Sequence, residues 1–296
     1  MGFFDFFKNM FKKQTCAFCG GECGVMSRTK IKGDEYICST CDDMCSQHIR
    51  KGRFTKDELA GHMEYMKRND RIFKEVIGGF SGTGGDCIPY PNNRQTFQFF
   101  DNHGMFIIRD GSRDRKENYP IELFRYDQVA SYEPYFEDKA PSEPGKPREF
   151  VEGGIKLTFV GGRDNPDDIR KGSMAHPYIT EPIKVCMAKT DREREDNLKY
   201  VDNIMAHFDY IFGVHDSQRG LFQFGMTTEE KRNLKAGVAF VNTFVDAVKV
   251  AKQGEEALTE EKKAEIQQNM NAMNDAQTGG LAVYTRRADE TEAKLK

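Results

Sequence analysis

Apolar residues recur at helical spacing between residues 55 and 77, and this pattern predicts an amphipathic helix. A capping box, Thr55-x-x-Glu58, marks the start of the helix, and Gly78 marks its end. The glycine-rich stretch that follows, residues 78–94, predicts a linker. It does not follow a strand and lacks the Gly-Lys-Ser/Thr ending of a phosphate-binding loop, so nucleotide binding is not predicted there.

After Arg94 the apolar period changes to short runs that are typical of antiparallel strands. The proline-containing stretch Lys139–Glu149 is expected to be a loop between two of them, and Thr190-x-x-Glu193 caps a later helix. Strands followed by one closing helix predict a bent antiparallel sheet of pleckstrin-homology-like plan over residues 95–212. We predict the strands at Gln95–Phe100, Gly104–Arg109, Ile121–Tyr126, Gln128–Glu133, Gly154–Val160 and Ile179–Ala188.

The C-terminal part of the chain has a different pattern. Residues 226–274 predict a pair of helices, the first of which is too apolar to be surrounded by solvent. This pair either docks on the sheet domain or binds a second copy through residues 228–274. Residues 275–296 are polar and are expected to be disordered. The predicted fold class is therefore α+β and multidomain, with a ribbon and its helix (14–77), the sheet domain and the helical pair.

The charge balance and the lack of long apolar runs argue against several classes of protein. The 44 Lys and Arg residues nearly balance the 47 Asp and Glu residues, which leaves a net charge of −3 and no general attraction to polyanions. Residues 14–56 carry seven basic and five acidic residues, an excess too small to favour nucleic-acid binding. No apolar run approaches the roughly 20 residues that a membrane-spanning helix needs. A transmembrane protein is therefore not predicted.

Six of the eight cysteines fall between positions 16 and 45. Two Cys-x2-Cys pairs, Cys16/Cys19 and Cys38/Cys41, have the spacing of a zinc ribbon, in which two tight turns supply four sulfurs to one Zn²⁺. A disulfide framework is the alternative, but the first thirteen residues lack the features of a secretory signal, and a reducing cytoplasm favours zinc. Because four protein sulfurs fill the coordination shell, we expect a structural rather than a catalytic metal.

Three further side chains leave the metal count open. Cys23 and Cys45 each follow the second cysteine of a pair by four residues, so they are either small buried residues, reserve ligands or part of a site with more than one metal. His48 is an alternative ligand in place of one thiolate.

The N-terminal segment, residues 1–13, is amphipathic. Its phenylalanines can rest on a membrane surface, which would give only weak, reversible attachment because the segment is short. Packing against the ribbon or another subunit is the alternative that we favour. The residues concerned, which with Met10 share one helical face, are Phe3, Phe4, Phe7 and Phe11.

The chain resembles a bacterial family of uncharacterised function whose members carry an N-terminal four-cysteine zinc ribbon followed by a pleckstrin-homology-like β domain. The resemblance rests on the two cysteine pairs, the start Met1–Asp5, the stretch Tyr126–Val129 and the sequence His176–Tyr178, and it covers residues 1–212. It implies a zinc site and an intracellular bacterial location, and it implies no reaction.

No arrangement typical of an enzyme is found in the sequence. His-Glu-x-x-His and Gly-x-Ser-x-Gly are absent, and Cys87 and Cys186 have no recognisable base partner. We therefore expect a non-enzymatic cytoplasmic scaffold or adaptor that binds protein partners or itself, with structural zinc as its cofactor. The alternatives are a protein peripheral to the inner face of the membrane and, less favoured, a nucleic-acid-binding ribbon.

Overall fold

The computed structural model describes residues 13–81, 85–87, 94–110, 119–141, 143, 145–161, 174–212 and 280–295. Within these ranges the chain is a mixed α/β protein with small antiparallel sheets and several helices. The helices of the described part are all too short or too polar to cross a bilayer. The predicted contacts of residues 1–12 and of the helical pair 226–274 lie outside these ranges.

The N-terminal unit consists of two small hairpins and a short helix. The turn of the second hairpin lies at Gly33 and Asp34, which both adopt the left-handed conformation, with φ of 94° and 62°. This hairpin lies between the two cysteine pairs. The elements are β1 (Gln14–Thr15), β2 (Glu22–Cys23), β3 (Arg28–Lys30), β4 (Tyr36–Cys38) and α1 (Ser39–Asp43).

Helix α2 spans Lys56–Arg71 and continues as a π-helical turn, Ile72–Ile77. Its capping box is complete: Thr55 Oγ1 accepts a hydrogen bond from the Glu58 N–H, and the Glu58 carboxylate accepts one from the Thr55 N–H at 2.7 Å. Gly78 ends the helix in the left-handed conformation. The start and the end of the predicted helix are thus both confirmed.

Two antiparallel sheets follow. Four strands pair in the order β5-β6-β7-β8 and three in the order β11-β10-β9. The predicted strands are all present, although several have different ends. Their bounds are β5 (Gly85–Cys87), β6 (Gln95–Phe100), β7 (Met105–Asp110), β8 (Phe124–Arg125), β9 (Val129–Lys139), β10 (Glu149–Phe159) and β11 (Ile183–Ala188).

The closing helix packs across the sheets as predicted. Helix α3 (Asp191–Asn197) leads through a 3₁₀ turn into α4 (Val201–Ile211). The Phe208 ring of α4 meets Phe97 at 5.9 Å and Phe106 at 5.6 Å, in edge-on geometry that favours aromatic pairs. The strands and this helix agree with the predicted order of elements, while the pleckstrin-homology-like identity of the unit stays a prediction.

The ribbon and the sheets do not form separate bodies joined by a free linker. Ile37 of the N-terminal unit and Leu59 of helix α2 belong to the same buried hydrophobic cluster as Phe97 and Phe208. Part of the expected linker, residues 78–94, is itself structured, because strand β5 pairs with β6. The prediction of a plain linker is wrong for this part, since glycine content alone does not show that a backbone can add to a sheet edge.

The disorder expected over residues 275–296 is wrong for the part that the structure describes, residues 280–295. Helix α5 (Leu281–Ala293) lies there, with Tyr284, Ala288 and Thr291 buried along one face. Only one of these three side chains is large and apolar, so the stripe is too weak to stand out in a polar sequence. The helix is held by partners on other elements, which a local pattern does not reveal.

Candidate metal centre

Four cysteines meet at one point of the N-terminal unit. The sulfurs of Cys16, Cys19, Cys38 and Cys41 all lie within 4.8 Å of one another. The Sγ atoms of Cys19 and Cys38 are 3.7 Å apart. A tetrahedral Zn²⁺ with bonds of about 2.3 Å places its sulfurs roughly 3.8 Å apart, so this separation fits such a shell. The cluster could therefore hold a metal ion.

Backbone geometry brings the sulfurs together. The chain turns after the first pair, where the Gly20 N–H donates to the Cys16 carbonyl at 3.0 Å and Gly20 adopts a φ of 71°. The second pair lies at the end of β4 and the start of α1, with Cys38 as the N-cap residue. The N–H of Cys38 points at Cys16 Sγ (3.4 Å) and that of Cys41 at Cys38 Sγ (3.5 Å).

The pKa values of the clustered thiols are consistent with a site for a cation. Burial raises the pKa of Cys16, but hydrogen bonds from the N–H groups of Cys19, Cys38 and Phe18 outweigh burial and lower that pKa to about 6. Burial and the neighbouring thiols of Cys38 and Cys16 raise the pKa of Cys41 well above its ordinary value. The protein alone therefore stabilises a thiolate at Cys16 and opposes one at Cys41, whereas a divalent cation offsets the repulsion among several thiolates.

Cys23, Cys45 and His48 lie outside this group of four. The Cys23 thiol donates to the Gly21 carbonyl and the Cys45 thiol to the Cys41 carbonyl, both at 3.8 Å. Both cysteines are fully buried, and burial raises the pKa of Cys45 to about 11. His48 instead packs edge-on against Phe124, with ring centroids 6.0 Å apart. Of the three interpretations left open for Cys23 and Cys45, the geometry favours small buried residues.

Replacing Cys23 and Cys45 together with alanine is expected to leave the metal content of the purified protein unchanged. Both thiols face backbone carbonyls and belong to the core, so their loss removes packing but no ligand. Elemental analysis gives the metal-to-chain ratio of the wild type and of the double variant. A ratio that falls in the double variant would show that one of these thiols is a ligand.

Sequence patterns did not reveal a polar joint between the ribbon and the sheet domain. The Ser46 hydroxyl donates to the Glu122 carboxylate at 2.5 Å, and the Ser46 N–H donates to His62 Nε2 at 3.0 Å. His176, which is also buried, lies 3.3 Å from the Tyr65 hydroxyl through its Nε2 atom. These residues are far apart in the sequence. Among them, only His62 belongs to a local pattern, the buried face of α2.

A cleft of about 390 Å³ opens beside this joint. Arg50 and Arg53 reach across it from the ribbon, and both form ion pairs with Glu181 of the sheet domain. Tyr178 and Ile183 contribute apolar surface to its lining. The cleft therefore carries a second polar connection between the two units.

Comparison with known proteins adds one match. No curated protein and no solved structure matches the chain. The model of a family described as a domain of unknown function (DUF4428) matches residues 15–62. This stretch contains the four clustered cysteines together with the first part of α2. In residues 15–62 the chain is thus similar to a domain whose function is unknown and which here carries a cysteine cluster able to hold a metal ion.

Proposed function

We propose that the chain is a non-enzymatic adaptor in which one structural zinc ion stabilises an N-terminal ribbon that binds a protein partner. The proposal rests on the closed set of four thiols, whose sulfur atoms all lie within 4.8 Å of one another. Sulfur ligands in this number favour zinc over hard cations such as Mg²⁺ or Ca²⁺. A shell filled by protein leaves no position for water or substrate, which supports a structural role for the metal.

The size of the ribbon supports the same role. A unit of some forty residues buries too little apolar surface to fold stably by itself, and metal binding then supplies folding free energy. The ribbon buries a few apolar side chains of its own, among them Ile31 and Ile37. The metal would therefore set the shape of the ribbon surface rather than take part in a reaction.

One point on that surface fits a protein contact. The side chain of Met26 is 99% exposed in the 3₁₀ turn that precedes β3. Arg28 and Lys30 follow it on β3, so basic residues come directly after an adaptable apolar side chain in the sequence, and Lys30 pairs with Asp34. Such a surface suits an acidic, partly apolar segment of a partner protein.

Two measurements on the full-length protein test the proposal. Elemental analysis is expected to give one zinc per chain, and a preparation that lacks zinc at this ratio would contradict the structural metal. Quantitative affinity purification from the native cell is expected to recover a partner that Met26→Asp loses. Met174→Asp is the matched control, because Met174 is also exposed, at 46%, but lies in the sheet domain. Equal recovery with both variants would exclude Met26 from the binding surface.

A further inference from the structure

The C-terminal helix α5 occupies a specific groove at one end of the sheet domain. Arg125 is buried there, and its guanidinium donates to Asp289 at 2.7 Å and to Glu292 at 3.1 Å. Arg68 of helix α2 also reaches Glu292, at 3.0 Å. Two basic side chains from two different elements thus receive the acidic face of one helix.

The floor of this groove is shaped for a helix backbone. A Cβ atom added at Gly104 would lie 2.0 Å from the Tyr284 carbonyl oxygen and 2.9 Å from the Ala288 nitrogen. Beside this contact, His103 Nδ1 lies 3.1 Å from the hydroxyl of Thr291. We call the surface formed by Asp101–Gly104, Arg68 and Arg125 the docking groove.

The docking groove keeps its charge balance without the helix. Asp127, which is 1% exposed, accepts two hydrogen bonds from Arg125, at 3.0 and 2.7 Å. This fork already pairs the guanidinium within the sheet domain. Departure of α5 would therefore leave the buried guanidinium of Arg125 paired, which avoids the cost of an uncompensated buried charge.

The buried face of the helix is narrow. Tyr284, Ala288 and Thr291 are its buried side chains. An isolated helix of thirteen residues is marginal in water, so α5 gains its stability on docking. Residues 213–279 separate it in the sequence from the end of α4.

We propose that the docking groove is an exchangeable helix site and that a second copy of this chain donates its own C-terminal helix to it. The charge complementarity between Arg68 and Arg125 on one side and Asp289 and Glu292 on the other specifies this occupant. The exchange gives the chain a route to self-assembly that involves neither the metal cluster nor the exposed turn at Met26. It goes beyond the proposed ribbon function and does not depend on it.

A complementation experiment with two full-length variants tests the exchange. Gly104→Asn blocks the groove but keeps the helix, and asparagine tolerates the φ of 63° at this position. Asp289→Ala/Glu292→Ala keeps the groove but weakens docking of the helix by about tenfold or more, because it removes charge-assisted hydrogen bonds. In sedimentation velocity, the 1:1 mixture is expected to show a larger dimer fraction than either variant alone, because the two variants form heterodimers. A mixture that sediments as the sum of its components would overturn the proposal.

If circular dichroism shows that Gly104→Asn does not fold, a second measurement tests the exchange. The wild type is expected to associate increasingly as its concentration approaches about 1 mM, where a helix from a second copy competes with the helix of the same chain for the groove. After dilution, dimers of Asp289→Ala/Glu292→Ala should return to monomers about tenfold or more faster than wild-type dimers, because the helix must undock first and its charge-assisted hydrogen bonds slow that step. The wild-type rate should persist in Glu290→Ala, the matched control, because Glu290 lies on the exposed face and pairs with Arg286 of the same helix. Equal rates for all three proteins, or a wild type that stays monomeric, would contradict the exchange. Zinc content, measured in parallel, keeps this result separate from the ribbon proposal.

Discussion

Replacing Cys41 with serine is expected to abolish metal binding and to unfold the ribbon. A hydroxyl is a poor substitute for a thiolate, and the remaining three sulfurs leave the shell incomplete. Structural zinc contributes on the order of 10 kcal/mol to folding in small zinc domains, more than a unit of this size gains from its core. Elemental analysis should show a metal-to-chain ratio near zero, and hydrogen exchange should show loss of protection at the backbone amides of β3 and β4.

The effect is expected to spread beyond the ribbon. Ser46, whose N–H is bound by His62, connects the N-terminal unit to Glu122 of the sheet domain, and the two units share one buried cluster. Unfolding of the ribbon therefore exposes part of the sheet domain's apolar surface and lowers its melting temperature as well. A chelator added to the wild type should reproduce both changes.

Cys186→Ser provides the control for this substitution. Cys186 lies on β11, and its thiol donates to the Ala188 carbonyl at 3.5 Å, away from the four-cysteine cluster. This variant should retain the metal and the protection of the ribbon amides. If Cys41→Ser also retained one metal per chain, the four-thiol assignment would be wrong.

Features encoded by neighbouring residues could be predicted from the sequence. The Cys-x2-Cys pairs each place two sulfurs on one turn, and the two pairs then need only one hairpin between them to meet. The cap of α2 likewise depends on Thr55 and Glu58, three positions apart. In such cases the spacing alone determines which atoms come together.

Features that depend on distant residues could not be predicted. Helix α5 is stabilised by Arg125, more than 150 positions away in the chain, and its own stripe contains one aromatic residue and two small side chains. Gly104, which admits the helix backbone, was predicted only as the first residue of a strand. Pairings of this kind follow from tertiary packing, which overrides local propensity.

The junction between ribbon and sheets likewise depends on residues that are distant in the sequence. A glycine-rich stretch between two dissimilar patterns is typical of a linker, yet Ser46 and Glu122 form a buried hydrogen bond across 76 positions. Buried polar groups of this kind specify one relative placement of the two units, because other placements leave them without hydrogen-bond partners. Two buried histidines lie at this junction, so we expect its stability to depend on pH.

Lowering the pH from 6.5 towards 4 is expected to destabilise the protein through His62 and His176. Burial, with a smaller contribution from Lys51, lowers the pKa of His62 from 6.5 to about 4. Burial, together with the nearby His62 and His48, lowers the pKa of His176 to about 3. Both imidazoles are therefore neutral in the folded protein at pH values where they bind a proton in the unfolded chain.

The sign of the effect follows from this difference. Because the unfolded state binds more protons between pH 6.5 and the lowered pKa values, stability is complete above pH 6.5 and falls as the pH decreases. A shift of this size corresponds to about 3 kcal/mol for His62 and somewhat more for His176. Glu122 and Tyr65 line the same joint, and His62 and His176 are the groups there whose protonation introduces buried positive charge.

Urea unfolding at several pH values measures this dependence. His62→Gln retains an acceptor for the Ser46 N–H but cannot be protonated, so its free energy of unfolding should fall less steeply than that of the wild type between pH 6.5 and 4. His176→Asn should behave in the same way, since its amide oxygen can accept from the Ile179 N–H. Protonation of the thiolates also releases metal at low pH, so metal content is measured at each pH. At equal metal content, the difference in slope between a variant and the wild type reports the protons of the histidine and not those of the cysteines. If both variants followed the wild-type slope under that condition, the histidines would not be the groups that titrate.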